Sequence, residues 1–271
     1  MIFQGLSVWI QTPDEDQLPE YQTNVLGEHT IECWIPSTDG SNFEIAFQPS
    51  ERPTHELDLH CRPCLDGIKY SGRVLPSEDI ARDMYNTIEG QAIDTSTVRL
   101  FTFGERLLTD REDIASSKKR PRKDLNTIRV TLEWGLAGNE RLQRQFKHSR
   151  ENGPIHKKAA KNGHAGSVGL GKLVEIDYTP TSTSFKPSQT KPVVFIFRYG
   201  PKDWLLARGI IASEKSQKRV RDGTPELVDV DGLETDDDEI TVVRHMIPVP
   251  VTSTHKRPKT RHEGIQPKVE T

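Results

Sequence analysis

Short hydrophobic runs that alternate with polar residues, each ended by Pro, Gly, Asn or Asp, recur along most of this chain. Alternation with a period of two puts successive side chains on opposite faces of a strand, so each run buries one face and wets the other. Leu6, Val8 and Ile10 share one face of the run at 2–10, and Trp9 falls on the other. The same pattern marks 30–35 (TIECWI), 43–47 (FEIAF), 55–61 (HELDLHC), 68–75 (IKYSGRVL), 97–103 (TVRLFTF), 127–134 (TIRVTLEW), 172–178 (KLVEIDY) and 193–199 (VVFIFRY). These runs are rich in β-branched and aromatic residues, as strands are. Ser37-Thr38-Asp39-Gly40 and Asp66-Gly67 read as hairpin-type turns, because Gly adopts positive φ at no steric cost. The prediction is a mostly β, antiparallel β-sandwich-like domain with a few short helices. Trp9, Trp34, Phe103, Val130, Phe195 and Phe197 are expected in its core.

Helices are predicted at 155–162, after Gly153-Pro154 and before Gly163, and at 201–208, between Pro201 and Gly209. Another short one is placed within 77–90. Trp204 is expected to dock on the sandwich, because an isolated helix of that length is marginal and packing must hold it.

Hydrophobic residues make up only 33% of the chain, too few for a fold that fills its whole length. The deficit lies at the C-terminal end. Residues 222–239 hold nine acids and no Lys or Arg, and 244–261 hold five bases and no acid. Charge blocks without an apolar face read as a disordered tail. The folded domain is therefore set at 1–210 and the tail at 211–271. The net charge of −3 gives no general argument for nucleic acid or for an acidic membrane. No stretch approaches the roughly 20 apolar residues of a membrane helix, and the first residues lack the basic and apolar regions of a secretory signal. Three cysteines make no complete disulfide framework, which favours a reducing compartment, nucleus or cytosol.

Several segments, taken together, carry a resemblance. They are LSVWI (6–10), LPEY (18–21), ECWIPS (32–37), DGIKYSGRVL (66–75), LNTIRV (125–130), IHKKAAKNGHAGSVGLG (155–171) and VFIFRYGPKDWLLARGI (194–210). In this order and spacing the chain resembles a fungal family, mostly from mushroom-forming species, defined by a domain of unknown function. The resemblance covers about residues 5–210 and weakens around 55–64 and 76–95. It implies a mostly β domain and no particular activity, cofactor or site residue. It also implies a charged tail with a short acidic-aliphatic motif.

Chemistry-bearing motifs are few. Gly166 to Lys172 fits G-x-x-x-x-G-K, but the next position is Leu173, where a P-loop needs a hydroxyl for magnesium. The run also precedes a strand rather than opening a helix, so it reads as a flexible connection. His55, His60, Cys61 and Cys64 offer imidazole and thiolate for zinc. However, adjacent residues of a strand point to opposite faces, so His60 and Cys61 cannot share a tetrahedron easily. His156 and His164, with Lys157, Lys158 and Lys161, suggest a basic patch on the 155–162 helix. No serine lies in a G-x-S-x-G elbow. No catalytic residue, cofactor or metal is assigned.

Lys118, Lys119, Arg120, Arg122 and Lys123 crowd five bases into six positions around Pro121. Such an exposed run is what a nuclear-import receptor reads. In the tail, Asp236, Asp237, Asp238 and Glu239 directly precede Ile240-Thr241-Val242-Val243, and Leu227, Val228 and Val230 form a second aliphatic cluster among acids. Both look like SUMO-interacting motifs, in which a short aliphatic strand adds to a sheet edge and the acids meet a basic rim. The leading reading is a non-enzymatic nuclear interaction protein whose tail binds a SUMO-like modifier. The alternatives are an enzyme of unrecognised type on the β domain, and a nucleic-acid-binding module using 118–123 and 155–162.

Overall fold

The computed structural model describes residues 1–109, 124–146, 155–156 and 164–212. The chain divides into the units Met1–Val220 and Arg221–Thr271, and the described residues all belong to the first. That unit is mostly β, with two short helices among its described residues, α1 (Ser77–Ala81) and α2 (Lys202–Ala207).

An eight-stranded sheet runs in the order β3 (Tyr21–Gly27), β4 (Thr30–Ser37), β19 (Val193–Pro201), β13 (Thr127–Ala137), β6 (Asp58–Leu65) and β7 (Ile68–Lys69). Beside this path, β8 (Arg73–Leu75) pairs with β6 and β18 (Phe185–Pro187) with β13. A four-stranded sheet joins β1 (Ile2–Phe3), β2 (Leu6–Gln11), β5 (Glu44–Pro49) and β9 (Asn86–Ile88). A third joins β10 (Gly90–Ala92), β11 (Thr97–Glu105) and β16 (Gly166–Glu175). Two small pairs complete the set: β12 (Leu108–Thr109) with β15 (Ile155–His156), and β14 (Arg141–Leu142) with β17 (Thr181–Ser182).

One hydrophobic core binds the three larger sheets. Ile31, Cys33 and Ile35 of β4, Phe195, Phe197 and Tyr199 of β19, and Ile128, Val130 and Leu132 of β13 project inward at alternate positions. They share that core with Leu6, Val8, Ile10, Ile45, Phe47, Phe101 and Phe103. Phe103 and Tyr199 meet with ring centroids 5.6 Å apart, a contact that ties β11 to β19.

The most apolar run, β19, lies inside the large sheet with a neighbour on each side. Its pairing with β4 is parallel, a departure from a purely antiparallel sandwich, as is that of β12 with β15. Parallel pairing needs a long crossover, and most of the domain lies between β4 and β19. The Asp66-Gly67 turn forms as expected, with φ values of 46° and 80° between paired Leu65 and Ile68. Ser37 to Gly40 does not close a hairpin: it carries the chain from β4 in one sheet to β5 in another.

Other expectations need correction. Ile155 and His156 form a strand, not the start of a helix, and 157–163 lie outside the described residues. β12 offers Ile155 and His156 a parallel strand partner, whereas a short helix on its own is marginal. The short helix expected within 77–90 is present as α1, and β9 follows it. Gly166 to Gly171 is ladder, not a flexible connection: β16 pairs with β11 along this stretch. The core contains Phe103, Val130, Phe195 and Phe197, but Trp9, Trp34 and Trp204 are only half-buried. Pro63 is tolerated inside β6 because β8 pairs with residues 59–61 and β7 with 64–65, so its missing N–H falls in the gap between them.

Candidate functional site

Five polar side chains from distant parts of the chain converge where β6, β11, β13, β16 and β19 come together. Asp66 sits on the turn after β6 with its side chain fully buried, and Arg106 follows β11 with its side chain 2% exposed. The Arg106 Nη2 donates to Asp66 Oδ2 at 2.7 Å. The Tyr199 hydroxyl donates to the same carboxylate at 2.9 Å, and the backbone N–H groups of Thr127 and Val168 donate at 3.2 and 3.3 Å. Arg106 Nη1 donates to Asn126 Oδ1 at 3.1 Å, which leaves the Asn126 amide nitrogen facing His164. Gly166 N–H donates to His164 Nδ1 at 3.0 Å, so Nε2 carries the proton and donates to the Tyr199 carbonyl at 2.5 Å.

Local backbone geometry builds this centre. Asp66 and Asn126 both take positive φ, 46° and 58°, a region that short polar side chains tolerate. Gly166 and Gly200 let the His164 ring approach. A Cβ on Gly166 would lie 2.6 Å from its Nδ1, and one on Gly200 would lie 3.1 Å from its Nε2 and 3.2 Å from the Trp204 ring. Four of the segments quoted for the resemblance supply Asp66, Asn126, Thr127, His164, Val168 and Tyr199.

The electrostatics are those of a closed structural centre. Burial pushes the Tyr199 hydroxyl well above its ordinary value, and the Asp66 charge adds to the shift, so it stays protonated. Burial pushes the Asp66 carboxyl up, against the pull of Arg106 and of the Tyr199 hydroxyl. Burial lowers His164, overcoming its bond to the Tyr199 carbonyl, so the imidazole is neutral at pH 7. The protonated phenol donates to the Arg106-paired carboxylate, and the neutral imidazole is held by the Tyr199 carbonyl, the Gly166 N–H and Asn126. Arg106 Nε is the one buried side-chain atom of the cluster without a hydrogen-bond partner.

The sequence singled out none of these partners as a set. His164 entered only as part of a basic helical patch; it is instead a buried residue of the domain. The zinc candidates are spread apart by the strand pleat. Cys61 faces the core, whereas His60 packs on Phe185 at 4.6 Å and His55 on Trp134 at 4.4 Å. Burial pushes the Cys33, Cys61 and Cys64 thiols up, away from thiolate chemistry. No cluster of three potential metal ligands occurs among the described residues. Lys118, Lys119, Arg120, Arg122 and Lys123, and the tail residues Leu227, Val228, Val230, Asp236–Ile240, Val242 and Val243, lie outside the described residues.

Half-buried His60 and buried His164 set a pH dependence. Burial lowers His60 from 6.5 to about 4, with Arg62 adding to the effect, and His164 also lies below 6.5. The unfolded chain therefore takes up these protons first. Stability present above pH 6.5 should be lost as the pH falls from that value towards about 4. Urea midpoints across this window check it. His60→Phe should flatten the fall, and an equally steep profile would remove His60 as a cause.

No curated protein matches the chain, and no solved structure matches it either. Residues 5–214 match the model of the family described as Domain of unknown function (DUF7918), and the chain, whose β domain occupies that stretch, belongs to this family.

Proposed function

We propose that this protein is a non-enzymatic nuclear interaction protein, with a β domain as rigid scaffold and a C-terminal segment that binds a SUMO-like modifier by β-strand addition. The observation that carries the reading is the run Asp236-Asp237-Asp238-Glu239 directly before Ile240-Thr241-Val242-Val243, with Leu227, Val228 and Val230 as a second cluster upstream. An aliphatic strand gives main-chain hydrogen bonds and alternate side-chain anchors, and the acids meet a basic rim. The polar centre of the domain supports the scaffold half, since its ionisable groups are committed to one another and buried. Lys118, Lys119, Arg120, Arg122 and Lys123 are read as the import signal. The fungal source implied by the resemblance belongs to the same proposal.

Isotope-labelled SUMO titrated with the full chain tests the tail. Shifts should map to one sheet edge, with a Kd on the order of micromolar or weaker, about −8 kcal/mol at best. They should vanish when Val242→Ala is combined with Val243→Ala. Absence of shifts at millimolar protein would remove the modifier as partner. For import, a fusion too large to diffuse should lose nuclear accumulation when the five basic residues become alanine. Undiminished accumulation would remove the signal from this run.

A further inference from the structure

The outward face of the four-stranded sheet carries an aromatic pair, Trp9 and Tyr85. Val8 and Ile10 are buried on the inner face of β2, and Trp9, between them, is half-buried on the outer one. Its ring lies 5.5 Å from that of Tyr85 at an interplanar angle of 48°. Across the ladder, Trp9 stands opposite Ala46 and Ala46 opposite Thr87, small neighbours that leave room for the rings to lie along the sheet. Tyr85 is 40% and Met84 49% exposed, an apolar rim at the solvent boundary.

The indole is held in place. Its Nε1–H donates to Gln11 Oε1 at 2.7 Å, and Gln11 Nε2 donates to Glu44 Oε2 at 3.0 Å. Gln11 itself is 2% exposed, so one buried amide fixes both the ring and the carboxylate. Burial disfavours the Glu44 charge most, against the Gln11 hydrogen bond, and Glu89 and Glu15 add to the effect. Arg73 acts in the opposite direction, and its guanidinium donates to the Thr87 carbonyl at 2.8 Å. Glu89 accepts the Tyr178 hydroxyl at 2.7 Å. Glu15, Glu44 and Glu89 form no ion pair with a described residue. Among the described residues, the charges that act on Glu44 are the carboxylates of Glu89 and Glu15 and the guanidinium of Arg73.

We propose that this face binds a lysine side chain presented by a basic peptide segment of a partner protein, with its ammonium over the Trp9–Tyr85 pair and beside Glu44. Trp and Tyr ring faces attract a cation through their quadrupole, most strongly where water is partly excluded. The carboxylates supply the complementary charge and relieve their own repulsion when the cation arrives. A neutral ligand would gain nothing from the three acids, and an anionic one would be repelled. The site belongs to the β domain alone and stands or falls separately from the modifier-binding tail.

Calorimetric titration of the full chain with a capped peptide of alternating Gly and Lys tests this. The same peptide with acetylated lysines removes the charge, and one with trimethylated lysines keeps the charge but removes every ammonium N–H. The lysine peptide should bind, the trimethylated one should bind at least as well, and the acetylated one should not. Tyr85→Ala should weaken binding about tenfold. Because Tyr85 is exposed, its variant should keep the parental urea midpoint. Glu44→Gln should weaken binding and remove its loss on acidification through the Glu44 pKa, which lies above the ordinary 4.5. Equal binding of the acetylated peptide, failure of the trimethylated one, an unchanged affinity in Tyr85→Ala, or no heat at millimolar peptide would each overturn the proposal.

Discussion

Arg106→Met should lower the stability of the domain by about 3–5 kcal/mol, because it leaves the Asp66 charge buried without its cation. The Asp66 and Arg106 side chains are 0% and 2% exposed and 2.7 Å apart, so water cannot replace the lost guanidinium. The remaining donors are the Tyr199 hydroxyl and two backbone N–H groups. They hold the carboxyl in place without neutralising it. In the variant, the Asp66 carboxyl should rise further, so the loss should shrink in acid and grow as the pH rises through it. Changing Asp66→Asn in the same chain should recover part of the loss, since the amide carries no charge, still accepts a hydrogen bond and tolerates the positive φ of this turn. Arg82→Met is the control: Arg82 pairs with Asp79 at 3.3 Å with its side chain 67% exposed, and such pairs contribute about 0–1 kcal/mol. Equal urea midpoints for Arg106→Met and Arg82→Met would show that the buried pair does not organise the domain.

The inner face of the sandwich was legible because burial imposes a period of two, and Phe195, Phe197, Ile128, Val130 and Leu132 obey it. The sheet order was not. Which strand lies beside β19 is decided by long-range packing, so its parallel pairing with β4 has no local signature. The polar centre escaped for a related reason. Asp66 before Gly67 is already explained by the turn, whereas its partners Arg106 and Tyr199 are 40 and 133 positions away. β3 was missed as well, since YQTNVLG is mostly polar, does not alternate, and pairs with β4 through two irregularities. Trp9 and Trp34 show the limit of hydrophobicity as a guide. Both fall on the outward phase of their strands, where a large ring is only half covered. For Trp9 that exposure is what makes an aromatic binding face available. At this level the sequence supplied the phase of each strand, and the fold decided what the outward positions meet.

Leu205→Ala should cost about 2–5 kcal/mol, and more than Trp204→Ala, although Trp is the larger residue. Leu205 is the fully buried residue of α2, whereas Trp204 is half-buried. The helix has six residues and no side-chain cap at its start, so its own hydrogen bonds do not sustain it. Its C-terminus is closed by Gly209 at φ 67°, with Gly209 N–H bonded to the Leu206 carbonyl and Ile210 N–H to the Leu205 carbonyl. This arrangement is a Schellman motif, which fixes where Leu205 points. Trp204 lies across Trp34 at 5.7 Å and His164 at 5.2 Å, with Arg208 5.0 Å over its ring. Those contacts persist in part when the outer half of the ring is wet, so truncation removes less buried area than its size suggests. Truncating Leu205 opens a cavity that six helical residues cannot refill without moving, and Trp204 would move with them. Urea midpoints for the two variants decide the order. If Trp204→Ala proves the more damaging, the ring and not Leu205 is what closes the domain.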